Sequence, residues 1–180
     1  RQPVPWNRTS TPQVAETEIV NGCCMMIQAD VFKKIDLIDE RFFLVHEESE
    51  FCLRARRAGF RCGILSEPLV WHKGSSFYKR DPRPLQTYYD VRNIALIIRK
   101  HRGSPVLGRS PRGVWWKYLK YVYFMYCVHR DRKNLAAANA VLEGLSDALL
   151  HRYGPLQPRR RPLVPLLRPL LELKRRISFS

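Results

Sequence analysis

The chain has 180 residues, 45% of them hydrophobic and 11% aromatic, which suits one domain with an appendage and argues against wholesale disorder. Its net charge of +16 is uneven: residues 101–180 carry sixteen basic and four acidic side chains, so the excess belongs to the C-terminal part and points to anionic surfaces, phospholipid or nucleic acid. Five cysteines with no C-x-x-C spacing argue against a disulfide framework and for reduced thiols in the cytoplasm, and no stretch approaches the roughly 18–20 apolar residues of a spanning helix.

The chain opens at Arg1 with no signal peptide in view, so a fragment, a processed product or a trimmed form is expected. Residues 1–16 are polar, Pro-dotted and aperiodic, and read as an irregular lead-in. "EIVNGCCMMIQADVF" reads as a buried strand in which Gly22 allows close backbone approach and Cys23 and Cys24 pack. Asp30 is placed to cap a short helix over "VFKKI", and "DLIDERFFLV" reads as a loop presenting apolar side chains. From Glu47 to Ala58 the spacing predicts a helix, with Phe51, Ala55 and Ala58 on one face and Gly59 just beyond its end. "FRCGIL" alternates as a strand does, and "SEPLVWHKGSSF" reads as a strand end running into a loop. A further helix fits Leu85 to His101, with Lys100, His101 and Arg102 favourable at its negative end and Gly103 stopping it.

Beyond Gly103 the composition changes. "GSPVLGRSPRG" reads as a linker, and "VWWKYLKYVYFMYCVHR" as a helix whose face is Trp115, Leu119, Val122 and Tyr126. "DRKNLAAANAVLEGLSDALLHRYG" reads as an amphipathic helix from an Asp131 cap to Gly154, followed by a Pro-broken, basic, leucine-rich tail. The expected division is therefore 1–103 and 104–180.

Three carboxylates, Glu47, Glu48 and Glu50, lie within four residues of this basic chain. One explanation is local: acids favour a helix N-terminus, and Glu50 with Arg54 is a good i, i+4 pair. Another is chemical: a carboxylate-rich helix start combined with His72, at the end of the strand-like "EPLVW", can build a metal and acid–base site.

The order of "NGCCMMIQADVFKKIDLIDERFFLVHEESEFCLRARRAGF", "EPLVWHKGSS" and "YYDVRNIALIIRK" resembles the C-terminal half of bacterial inverting glycosyltransferases of the GT-A fold, nearest to the rhamnosyltransferase-like enzymes of cell-surface polysaccharide synthesis. The resemblance covers about residues 17–102 and continues more weakly through "LEGLSDALLHRYG". It implies an α/β fold and inverting transfer of a sugar from a nucleotide-sugar donor to a glycan or lipid-linked acceptor. The acid pair becomes Glu47-Glu48, with Glu48 the general base. His72 becomes a ligand of a divalent metal, Mg²⁺ or Mn²⁺, that holds the donor diphosphate. Gly22 and Lys73 fall on the donor side; His46, Glu47, Phe43 in "DERFF" and Trp71 fall on the acceptor side. No D-x-D and no preceding βαβ pattern occur, so the Rossmann-like donor half is expected to lie in a longer native protein.

Such a displacement needs a base for the hydroxyl proton and a cation for the leaving diphosphate. Several residues keep two readings. Trp71 is core or pocket wall, or a sugar platform; Lys73 meets a diphosphate or is a solvated loop lysine. Arg92 and Asn93 match the family's Arg-Asn pair without an assigned chemical role, and otherwise read as a helix-surface arginine and its neighbour. The stretch Trp115 to His129 either packs as an ordinary helix or lies in a bilayer interface, with Lys117 and Lys120 snorkelling.

The resulting expectation is a glycosyltransferase fragment, cytoplasmic and peripheral at the inner face of the cell membrane, with an anionic membrane surface and no nucleic acid as partner. The rivals are a basic nucleic-acid-binding module and a non-catalytic membrane-bound scaffold.

Overall fold

The computed structural model describes residues 13–67, 70, 72, 84–108 and 110–178, the side chains of 176–178 excepted. In chain order its elements are β1 (Val14–Thr17), α1 (Ala29–Ile35), α2 (Glu47–Arg57), β2 (Cys62–Leu65), α3 (Pro84–Lys100), α4 (Pro111–Asp131), α5 (Leu135–Leu149) and α6 (Val164–Ser178). The described residues are thus mainly helical, with one small antiparallel ribbon.

The principal core lies where α3, α4 and α5 meet. Val91, Ala95 and Ile98 of α3 pack with Tyr118, Val122 and Tyr126 of α4 and with Ala138, Val141, Leu142 and Leu145 of α5; Val164, Leu167 and Leu171 of α6 cover its flank. This core runs across residue 103, because α3 lies on one side of it and α4–α6 on the other. The crossing of α3 and α5 is close. A Cβ at Gly144 would stand 2.5 Å from the carbonyl oxygen of Tyr88, so only glycine lets the two backbones approach this far. The buried Asp147 of α5 returns a polar tie, accepting from the Tyr88 hydroxyl at 2.7 Å and from Arg161 Nε at 3.2 Å.

Two smaller cores hold α2. Leu53 joins Phe42, Leu96 and Ile97, whereas Phe51 and Ala55 join Val31 of α1. The periodicity of α2 is as expected, and Gly59 follows its end with φ +94°, a conformation that costs glycine little. Strand β2 also lies where alternation placed it. Its partner β1 comes from the segment read as irregular lead-in, with Val14 opposite Leu65 and Thr17 opposite Cys62.

Several expectations are corrected. Residues 18–28 form no strand: Met26 is fully exposed and Cys23 and Cys24 are exposed. The Asn21 side chain accepts from the Cys23 amide at 3.3 Å, bending the chain at Gly22, and no described strand offers this segment a ladder. Asp30 lies inside the first turn of α1, whose N-cap is Gln28; its carboxylate takes Lys33 at 2.8 Å instead. The cap of α5 is Asn134, accepting from the Ala137 amide at 3.2 Å, while Asp131 ends α4. On α4 the buried face is Tyr118, Val122 and Tyr126, and Leu119 points outward, because the Tyr118 hydroxyl reaches the Val91 carbonyl at 3.0 Å. The tail is helical through Pro169, whose missing N–H costs one helical bond while Leu167 and Leu171 on either side pack inward. No helix among the described residues is long and apolar enough to cross a membrane.

The Gly144 crossing gives a direct test. Gly144→Ala is expected to lower the stability of the chain by about 1–3 kcal/mol through overpacking against the Tyr88 backbone, read by urea or thermal unfolding.

Candidate functional site

The acids open α2 as a cluster, but they face three different surroundings. Glu50 is turned inward and fully buried. Arg54 Nε bonds both its oxygens at 2.9 Å, Lys100 Nζ lies 2.8 Å from Oε1, and His101 Nε2 lies 3.2 Å from Oε1. Burial alone would raise the Glu50 carboxyl; the bonds from His101, Lys100 and Arg54 outweigh it and hold it down at about 2. Asp39 extends the network by pairing with Lys100 and with Arg41 Nη2 at 2.7 Å. Burial also works against its charge, and the bonds from Arg41 and Lys100 keep it well below the usual carboxylate range. Lys100 and His101, read from sequence as helix-end cations, thus serve to tie the end of α3 to the first turns of α2.

Glu47 and Glu48 are half-buried. Glu47 Oε2 is buried with no hydrogen-bond partner among the described residues. Glu48 lies along the backbone of Gly22: a Cβ there would stand 3.4 Å from both Cβ and Cγ of Glu48. Gly22 and Glu48, 26 positions apart and both named from sequence, are therefore neighbours.

The loop before α2 is conformationally unusual. Phe43, Val45 and His46 have φ of +61°, +63° and +71°, left-handed values that side-chain-bearing residues seldom adopt. Helix α3 holds this loop through consecutive polar side chains. Asn93 Nδ2 donates to the carbonyls of Phe42, Leu44 and Val45 at 3.0, 2.8 and 2.8 Å. Arg92 donates from Nη2 to the carbonyls of Arg41 and Phe42 at 2.9 and 3.0 Å and from Nη1 to that of Gly154 at 2.6 Å. Both residues are fully buried, which corrects the reading of Arg92 as a helix-surface arginine. His46, the N-cap of α2, places Nε2 2.6 Å from Asp90 Oδ1, and the Tyr121 hydroxyl donates to the other Asp90 oxygen. Burial and the Asp90 carboxylate both push the Tyr121 hydroxyl upward, so it stays a donor at ordinary pH. Phe43 is exposed, its ring 5.5 Å from that of Tyr89, whereas Phe42 beside it is fully buried.

His72 is exposed, and Trp71 and Lys73 lie outside the described residues. Among the described residues no group of three or more His, Cys, Asp or Glu side chains converges as a metal centre would require. The described residues do not make a divalent-metal site by themselves. Asp90, Tyr121, Lys100 and His101 escaped the sequence reading as parts of this site. The signal available was "YYDVRN", a run of polar residues inside an apolar helix, where each must find a buried partner.

Comparison with known proteins places this geometry in context. The chain is 38% identical over 73 residues to the low-salt glycan biosynthesis hexosyltransferase Agl10 of Haloferax volcanii, covering 41% of this chain and 24% of that protein. It is 30% identical over 98 residues to the dTDP-rhamnosyl transferase RfbF of Shigella flexneri, covering 51% of this chain and 32% of that protein. The chain therefore matches about a quarter to a third of the length of these curated relatives, and both are named as sugar transferases. No protein-family model and no solved structure matches.

The Glu50 network carries a pH prediction. A carboxyl depressed in the folded state contributes stability above its unfolded value, and that contribution is lost as pH falls toward the folded one. The depression of the Glu50 carboxyl, from 4.5 to about 2, corresponds to something on the order of 3 kcal/mol. Glu50→Gln is expected to destabilise the chain at neutral pH and to flatten its unfolding free energy between about pH 4.5 and 2. Denaturant titrations at several pH values measure this, and an unchanged acid limb would remove Glu50 as its source.

Proposed function

We propose that this chain is the acceptor-side part of an inverting GT-A-type glycosyltransferase that moves a sugar from a nucleotide-sugar donor to a glycan or lipid-linked acceptor, with Glu48 as general base. The observation that supports it most is the division of labour within the acid cluster. Glu50 is locked among cations and is too weak a base to serve, leaving the Glu47-Glu48 pair at the helix start on a strained, tightly held loop. The partial likeness to two named sugar transferases supports the same class.

In this reading the acceptor hydroxyl lies against α2, and its proton passes to a Glu48 oxygen as the hydroxyl oxygen bonds to the anomeric carbon. The bond from that carbon to the donor diphosphate breaks on the opposite face, and the nucleoside diphosphate departs with the electron pair. Gly22 lies beside Glu48, and a Cβ there would be in ordinary contact with its side chain. His46, fixed by Asp90, and the exposed Phe43 ring lie on the loop that leads into α2 and are assigned to the acceptor. Glu48→Gln in the full-length protein is expected to lower sugar transfer by about 10²–10⁴-fold, the usual worth of general-base catalysis. Its thermal melting should be unchanged. Near-normal turnover in the folded variant would remove Glu48 as the base.

The C-terminal part supports a peripheral location at the inner face of the cell membrane. Leu166, Leu170 and Leu173 recur at i, i+4 and i+7 on α6 and are each about 60% exposed. On α4, Trp116 and Phe124 are also exposed, with Lys120 Nζ 5.5 Å and Lys174 Nζ 5.8 Å from the centre of the Trp116 ring. With net +12 over residues 101–180, this apolar and basic surface complements an anionic bilayer, each nearby Lys or Arg contributing about 1 kcal/mol. Sedimentation with phosphatidylserine-containing vesicles is expected to weaken as salt rises. It should fall further when Leu166, Leu170 and Leu173 are together replaced by serine. Equal binding to neutral vesicles at every salt concentration would defeat the electrostatic part.

A further inference from the structure

We propose that Asn93 and Arg92 are positioning residues for the acid pair: their side chains set the backbone conformation of residues 41–46 and, through it, the place of Glu48. The inference rests on the reading of Glu48 as the base.

The orientation of the Asn93 amide follows from its neighbours. Its Oδ1 accepts from Arg92 Nε at 3.0 Å and Nη2 at 2.9 Å. The NH₂ group therefore faces the loop, where two hydrogens serve three carbonyl oxygens. The Arg92 guanidinium is held in turn, 4.6 Å from the centre of the Tyr89 ring. Both side chains are fully buried, so no water can replace either donor without opening the core.

These carbonyls face inward because Phe43, Val45 and His46 are left-handed. Ordinary φ values would swing them away from α3. Left-handed backbone at such residues costs of order 1–3 kcal/mol each and persists only where the surroundings enforce it. Here the Asn93 amide and the Arg92 guanidinium supply most of the donors, beside the His46–Asp90 contact and the packing of Leu44 and Val45. His46 is also the N-cap of α2, so relaxation of the loop would displace the first helical turn, in which Glu47 and Glu48 lie. Because the two residues reach Glu48 only through the backbone, their effect on kcat should largely vanish once the carboxylate is gone, whereas any effect on the acceptor through His46 and Phe43 appears in the acceptor KM.

The test is a double-mutant cycle in the full-length protein. Asn93→Asp keeps the shape and the contact with Arg92 but turns an oxygen toward the three carbonyls. It is expected to lower kcat by about 100-fold, the scale of a 1 Å misplacement, with the donor KM unchanged. In a Glu48→Gln background the same change should cost less than about 2-fold, because the group it positions is absent. Amide hydrogen exchange should rise in residues 42–48 and stay constant in α4 and α5. Arg92→Lys, which keeps the charge but loses the fork, should reproduce the pattern more mildly and replaces Asn93→Asp if that variant fails to fold. Undiminished kcat in a folded variant, or a full multiplicative loss in the Glu48→Gln background, would overturn the proposal. If Glu48→Gln alone is fully active, the base assignment falls on its own. Exchange then decides whether the clamp sets the loop, and unchanged exchange in 42–48 overturns it.

Discussion

The carbonyl groups of residues 41–45 belong to no helix or sheet, yet several of them face the dry interior. Buried carbonyls must be hydrogen-bonded, and apart from the Leu44 amide, which donates to Phe42 at 2.7 Å, this loop needs donors from elsewhere. Helix α3 supplies them from Arg92 and Asn93, and the same helix packs its apolar face on α5 across the Gly144 contact. One helix is therefore both the pillar of the main core and the template for the loop. Shifting α3 by a single residue would misalign the donors and the apolar face together, so the register of the helical layer and the register of the acid-bearing helix are a single quantity.

The acid cluster shows how environment divides identical side chains. Glu50 lies one helical turn from Glu47, yet it is enclosed by Arg54, Lys100 and His101, whereas a Glu47 oxygen is buried without a partner among the described residues. Electrostatics in a basic chain sharpens the contrast, since a carboxylate turned inward finds cations readily. The fully satisfied acid contributes to folding, whereas Glu47 keeps one buried oxygen without a hydrogen-bond partner among the described residues. Removing the Glu50 carboxylate would leave Arg54 and Lys100 gathered around a buried site that has lost its counter-charge, which is costlier than never placing them there.

Helices α2, α3 and α4 and strand β2 were legible because periodicity and terminal signals are local. Features set by a distant partner were not. The apolar run at 19–27 has strand composition, but composition supplies no neighbouring ladder, and the Asn21 turn bends it. Leu119 and Tyr118 are adjacent on α4, and the choice between them turns on the Val91 carbonyl, 27 positions upstream. Of the candidate site, the acids, Gly22 and His46 could be named from sequence. Their supports, Asp90, Lys100 and His101, looked like ordinary helix polarity, because the residues they meet lie 44 to 61 positions away.

The β1–β2 ribbon is only four residues long on each strand, and Val14, Ile64 and Leu65 remain largely exposed along it. Two-stranded ribbons of this size are marginal in water. Among the described residues each strand has one paired side, so the other sides present a row of backbone donors and acceptors beside apolar surface. Such a rim is a growth point. A strand laid against it would extend the sheet in register and bury those side chains.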